Sequence, residues 1–151
     1  MLEDPVDYAK RLAADAAVWQ RIATEGPAAA DAEWQRLLAA VRRVQQQLEG
    51  VYGLALTESD GQAFVASPLE GVTLRRQPAQ LLLDEYTMPD DRSQWRARAT
   101  HTFAIDLGEG DAWVWRAGDG ALYSSEALAN LAFVNLLARE RAHRGIPQRR
   151  S

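Results

Sequence analysis

The chain has 151 residues, of which 47% are hydrophobic and 25% charged, a composition typical of an ordinary globular domain. It contains no cysteine, which excludes a disulfide scaffold, a thiolate metal site and cysteine nucleophilic catalysis. The net charge of −4 argues against a nucleic-acid partner, because such binding relies on lysine and arginine to neutralise phosphates. The first thirty residues contain no unbroken apolar run, so we expect no signal peptide, no membrane association and a cytoplasmic location.

Two helices joined at Gly26-Pro27 are predicted for the N-terminal third. Asp4 followed by Pro5 is a helix-start signal, since proline at the first helical position lacks only an amide hydrogen that would be unpaired anyway. Apolar residues recur at helical spacing on both sides of Gly26: Tyr8, Leu12, Ala16, Trp19 and Ile22 before it, and Trp34, Leu37, Leu38, Val41, Val44 and Leu48 after it. Because Gly-Pro commonly ends a helix, we expect a helical hairpin in which residues 1–26 are an additional N-terminal helix.

The pattern changes from a helical to a strand-like period at Val51. Two short strand-like runs, 51–57 and 62–67, surround Ser59-Asp60-Gly61, which is a strong hairpin signal. The next segment is predicted to be irregular, with a short strand at 72–74. Residues 77–86 are predicted to form about two turns of helix, because Pro78 suits a first-turn position.

The longest regular pattern runs from Trp95 to Leu107. Mostly apolar residues occupy its odd positions, and mostly polar residues occupy the even positions between them. This alternation is typical of a strand with one buried and one wet face, and it indicates an antiparallel sheet covered by helices on one side only. Two further strands follow at 112–117 and 121–123. We therefore predict an α+β fold with a predominantly antiparallel sheet of about five strands, in which Arg96, Arg98 and Thr102 are wet.

A long helix capped by Ser124 or Ser125 is predicted to close the domain. From 127 to 138 it is apolar on nearly every side, interrupted only by Asn130 and Asn135, so it lies either in the core or against a partner chain. Residues 139–144 are predicted to be the solvated end of this helix. For the chain as a whole, we predict a single domain over 1–147 and a flexible tail over 148–151. The predicted core includes Trp34, Leu37, Val41, Leu54, Leu56, Phe103, Ile105, Leu131 and Leu137.

One titratable residue, His101, lies within the apolar stripe of the long strand. A ligand pocket between sheet and helices could use it as an orienting group, with Trp95, Trp113 and Trp115 as further lining residues. Such a pocket requires a cavity of at least roughly 300 Å³ that reaches His101. The alternative is a core histidine bonded to its surroundings and tryptophans that simply fill the interior.

No other group of residues has the spacing of a reaction centre. His143 suits the negative end of the last helix, and the pairs Asp84-Glu85 and Asp90-Asp91 are predicted to lie in solvated loops. The segments 108–110 and 118–120 are turns, since each lacks the lysine of a phosphate loop. We expect no catalytic residue, metal or cofactor.

The segment from Leu48 to Ser67 resembles the roadblock/LC7 family. Members commonly show a helix running into a Gly-Val-x-Gly strand, an Asp-Gly hairpin turn and an Ala-Ser ending, which correspond here to 50–53, 60–61 and 66–67. The later Gly118-Asp119-Gly120 turn followed by an arginine-containing helix is also similar, so the resemblance spans roughly residues 34–142. It implies a small non-enzymatic dimer that scaffolds complexes or regulates small GTPases. The family's central long helix would have to occupy the segment interrupted by Pro78 and Pro89.

Three functions therefore stay open. The first is a non-enzymatic interaction or scaffold module that acts through self-association or a protein partner. The second is a small ligand-binding protein or enzyme with a pocket between sheet and helices. The third is an α+β dimer similar to a secretion chaperone.

Overall fold

The computed structural model describes residues 3–149, so residues 150 and 151 of the predicted tail lie outside the described part of the chain. A 44-residue helix, a seven-stranded sheet and a 20-residue helix follow one another. The elements are α1 (Pro5–Leu48), β1 (Ala55–Ser59), β2 (Gln62–Ala66), β3 (Glu70–Gln77), β4 (Gln80–Thr87), β5 (Arg96–Leu107), β6 (Trp113–Arg116), β7 (Leu122–Tyr123) and α2 (Ser125–Arg144).

Every strand pairs antiparallel with its neighbours in sequence, so the sheet order is β1 to β7. The two helices pack against each other and against the same face of this sheet, which carries the buried apolar side chains. In the part of the chain that the structure describes, no helix covers the other face. The predicted α+β class and antiparallel sheet are confirmed, and so is the exposure of Arg96, Arg98 and Thr102.

The sheet has seven strands rather than about five, because the segment predicted as a short helix is β4. Pro78 and Ala79 form the turn between β3 and β4, and Ala79 has a positive φ of 55°. The run Leu81-Leu82-Leu83 is compatible with either period. Pairing with β3 on one side and β5 on the other decides for a strand, in which Leu81 and Leu83 are buried.

The predicted helical hairpin at Gly26-Pro27 is wrong, since α1 continues through both residues. Gly26 is buried and packs on β5: an added Cβ would lie 3.2 Å from Cγ2 of Ile105. Pro27 and Ala23 are exposed, so water can reach the Ala23 carbonyl that the proline cannot pair with. The glycine therefore allows close helix–sheet packing and does not end the helix.

The core lies between the sheet and the helix pair. Of the predicted core residues, six are buried and three (Leu56, Leu131 and Leu137) are partly buried against the same cluster. Ser124 caps α2 by accepting a hydrogen bond from the Ala127 amide at 3.1 Å. The apolar part of α2 lies mainly in the core, although Val134 is exposed.

Candidate functional site

The structure separates the four residues predicted to line one pocket: Trp95, His101, Trp113 and Trp115. Trp115 is 1% exposed, and its indole Nε1 donates to Oγ of Ser125 at 3.1 Å, as expected of a packed core tryptophan. Trp113 is half-buried at the edge of the core, with the Arg21 guanidinium 5.8 Å from its ring centroid. Of the four residues, only His101 lines the hollow of about 450 Å³ beside α2.

Trp95 lies on the opposite, helix-free face of the sheet. The pairing of β4 with β5 changes register between Glu85 and Tyr86, and this bulge interrupts the alternation that places His101 toward the helices. Trp95 instead packs edge-to-face on Phe64, with ring centroids 5.6 Å apart. A ligand-binding role for Trp95, Trp113 and Trp115 remains a prediction.

His101 faces the helices and contacts a carboxylate. Its Nε2 lies 2.8 Å from Oε1 of Glu85, and its side chain is about half exposed (51%). Because a carboxylate only accepts hydrogen bonds, this contact assigns the hydrogen of the neutral ring to Nε2. Nδ1 is then the nitrogen that can accept a hydrogen bond.

A buried glutamate, Glu70, lies at the start of β3 beneath the end of α2. It is 1% exposed, and both carboxylate oxygens are paired. Oε1 accepts from Nε of Arg139 at 3.2 Å, while Oε2 lies 2.8 Å from Nδ1 of His143 and 2.5 Å from Oγ1 of Thr87. A buried carboxylate is tolerable only with such partners, because leaving water costs several kcal/mol.

Arg139 connects this glutamate to the His101 site. Its side chain is 13% exposed, its NH1 lies 3.4 Å from Oε2 of Glu85, and its NH2 donates to the Gly71 carbonyl at 3.1 Å. A continuous polar network therefore runs from His143 through Glu70, Arg139 and Glu85 to His101. It contains both histidines of the chain.

Sequence reasoning missed this network. Arg139 and His143 were expected in a wet helix end and Glu85 in a solvated loop, yet all three contact one another through Glu70 or directly. The contacts from α2 to Glu70 span 69 and 73 residues of sequence, so no local pattern announces them. The one local signal nearby was Asn135, an interruption of the apolar helix that lines the adjoining cavity.

The neighbouring carboxylate Asp84 serves the other face of the sheet. Burial raises the pKa of its carboxyl, but hydrogen bonds from Arg75 (2.5 Å) and Thr100 (2.7 Å) outweigh burial and lower it. Adjacent residues on a strand point to opposite faces. Asp84 and Glu85 therefore cannot act together on one substrate atom.

A cavity of about 450 Å³ lies between α2 and the sheet, beside His101. Its apolar lining includes Leu83 and Phe103 from the sheet and Leu131 from the helix. Its polar lining comprises Glu85, Thr100, His101, Thr102, Asp119, Asn135 and Arg139. The cavity that a pocket at His101 requires is therefore present. Within residues 3–149, no cluster of three or more metal-ligating side chains occurs.

A second feature is the N-terminal part of α1, residues 5–22, which we call the overhang. Every residue from 3 to 20 is exposed, whereas the same helix is buried from Gly26 onward along its core-facing side. The overhang exposes large apolar side chains, including Tyr8 (57%), Leu12 (60%) and Trp19 (66%). Such a surface on a projecting helix is unusual unless something covers it.

Comparison with known proteins does not assign a family. No protein-family model, curated protein or solved structure matches the chain. The roadblock resemblance is thus neither supported nor contradicted. Within the described residues, no helix has the length and apolarity needed to cross a membrane.

Proposed function

We propose that the protein is a non-enzymatic interaction module that forms a homodimer through the overhang. The observation that carries this proposal is the continuity of one helical face. Leu12 and Trp19 are followed five turns later by Ala30 and Leu37, which are buried against the sheet and α2. The face that packs in the core of one half of α1 is the face left uncovered in the other half.

The exposed area suits a second copy of the chain. Tyr8 and Trp19 each offer on the order of 150 Å² at these exposures, and the smaller Leu12 about 100 Å², so the three expose roughly 400 Å² per protomer. Two such patches supply roughly 800 Å² of the roughly 1,200 Å² of total buried surface at which specific interfaces begin, and the flanking side chains would supply the rest. A two-fold pair covers both patches at once.

Charges beside the stripe favour an antiparallel pair. Arg11 and Asp15 lie on one flank, and the other flank carries Ala9 and Ala16. A parallel pair would place Asp15 against its own copy, which is unfavourable. An antiparallel pair centred near residue 13 places Arg11 beside the partner's Asp15 and Tyr8 beside the partner's Trp19.

A hollow at the base of the overhang extends the same surface. It has a volume of about 330 Å³ and lies between Trp19 and Ile22 on the helix and the Pro78–Ala79 turn of the sheet. In the antiparallel arrangement the partner's helix start approaches this hollow. A two-fold contact would then join overhang to overhang and overhang to the β3–β4 turn.

The biological role of such a dimer is proposed only in outline. Regulation of a small GTPase follows only from the roadblock resemblance, and the segment that would hold that family's central helix forms β3 and β4 here. A role similar to a secretion chaperone would use the same exposed helix. Both roles require a dimer or a protein partner, so self-association is the property to test first.

Sedimentation equilibrium of the full chain at micromolar to high micromolar concentrations tests the dimer. We expect a reversible dimer that Leu12→Glu and Trp19→Glu each convert to monomer, because either change buries a charge in the pair. Val6→Glu is the matched control: Val6 is 59% exposed but lies about 120° around the helix from Leu12, so the dimer should persist. A strict monomer at the highest concentration contradicts the proposal.

The antiparallel orientation has its own test. Asp15→Arg alone should weaken the dimer, since it places like charges beside each other. The exchange Arg11→Asp with Asp15→Arg should restore it. If the double variant is as weak as Asp15→Arg, the orientation is wrong even though a dimer exists.

A further inference from the structure

We propose that the cavity beside His101 binds a small, uncharged aromatic molecule that carries a hydroxyl group. The site is independent of the overhang and of the dimer. It lies between α2, strands β3, β4 and β5, and the turn before β7.

The cavity has the size and apolar character of a ligand site. Its volume of about 450 Å³ falls within the range of roughly 300–1,000 Å³ that holds small molecules. Leu83 and Leu131 face it from sheet and helix, and Phe103 meets Tyr123 edge-to-face with centroids 6.1 Å apart. Aromatic walls of this kind favour a flat ring as the body of the ligand.

The polar lining of the cavity includes the side chains of His101 and Asn135. Nε2 of His101 is engaged by Glu85, which leaves Nδ1 as the ring nitrogen that accepts a hydrogen bond when the imidazole is neutral. The amide of Asn135, one turn before Arg139 on α2, adds a donor and an acceptor. A hydroxyl can donate to the imidazole and accept from the amide, so it matches this pair of groups.

The charges at the site disfavour an anion. Arg139 is already engaged by Glu70 and Glu85, so it offers little unshared positive charge to a ligand. Glu85 and Asp119 both line the cavity and would repel a carboxylate. Both oxygens of Glu85 also have partners, which leaves an ammonium group without a dedicated counter-ion.

NMR titration of the full chain with 2-naphthol, 2-naphthoate and 2-naphthylmethylamine tests the ligand class. We expect saturable amide shifts for 2-naphthol at Leu83, His101, Phe103 and Asn135. The other two probes should bind at least about tenfold more weakly, because each brings an unpaired charge. Equal or tighter binding of 2-naphthoate overturns the class, and shifts confined to the overhang overturn the site.

Variants on α2 separate the cavity from non-specific binding. Leu131→Trp should abolish the shifts by filling the cavity, and Asn135→Leu should weaken 2-naphthol by about tenfold through loss of its polar partner. Asn130→Leu is the matched control, since Asn130 is exposed on the same helix and does not line the cavity. Unchanged binding in both Leu131→Trp and Asn135→Leu refutes the proposal, as does the absence of any saturable shift in the native chain.

Discussion

Ser125 joins three elements of the core, and its replacement tests that arrangement. The residue is fully buried; its Oγ accepts from Nε1 of Trp115 at 3.1 Å and donates to the Glu33 carbonyl at 3.0 Å. The two bonds connect β6, α2 and α1. The serine hydroxyl is therefore a link between layers, and not the cap of α2.

Ser125→Ala should lower the free energy of unfolding by about 1–3 kcal/mol. The indole N–H would stay buried without a partner, and an unmade buried bond costs that amount. The Glu33 carbonyl loses only a second partner, since it lies inside α1. For a chain of this size the change corresponds to a fall in Tm of about 2–12 °C.

The assay is urea unfolding of four proteins: the native chain, Ser125→Ala, Trp115→Phe and the double variant. If the hydrogen bond is the cause, Ser125→Ala costs less in the Trp115→Phe background, with a coupling energy of about 1 kcal/mol. Equal losses in both backgrounds, or a native-like Ser125→Ala, would refute the reasoning.

Three further predictions concern packing and charge. Gly26→Val should destabilise the fold by about 1–3 kcal/mol in urea unfolding, because even a Cβ would lie 3.2 Å from Ile105, while Ala23→Val on the exposed side should cost only the difference in helix propensity. Burial raises the pKa of Glu33, so its ionisation opposes folding, and Glu33→Gln should stabilise the protein at pH 7. This gain in the free energy of unfolding should shrink as the pH falls toward the ordinary pKa of 4.5, and a constant gain would contradict the prediction. The pKa of Asp84 is lowered, so its contribution to stability is present above the ordinary value of 3.8 and is lost as the pH falls below it. Asp84→Asn should remove that part of the acid dependence in thermal unfolding.

Local periodicity was sufficient for the elements whose pattern has one interpretation. The strand at 96–107, the hairpin at 59–62 and the capped helix from 125 are all present, because side-chain direction in a strand or helix follows from the backbone alone. The same argument placed Phe103 and Ile105 in the core and Thr102 in water. These features needed no knowledge of what packs against them.

Tertiary contacts decided the features that have two local interpretations. Gly26-Pro27 can end a helix or lie within one. The close packing of Gly26 on Ile105 favours the continuous helix, and the continuous helix produces the overhang. The run 81–83 can be helix or strand, and the two neighbouring strands decided.

The candidate sites belong to the second kind. A single bulge between β4 and β5 separated Trp95 from His101, and no residue type in either strand signals its position. The polar network joins residues about 70 positions apart, because α2 folds back over the start of β3. The sequence by itself determined the class of fold and much of its core, since those depend on local periodicity. The register, the length of α1 and the partners of His101 depend on free energy from distant contacts, so only the tertiary structure decided them.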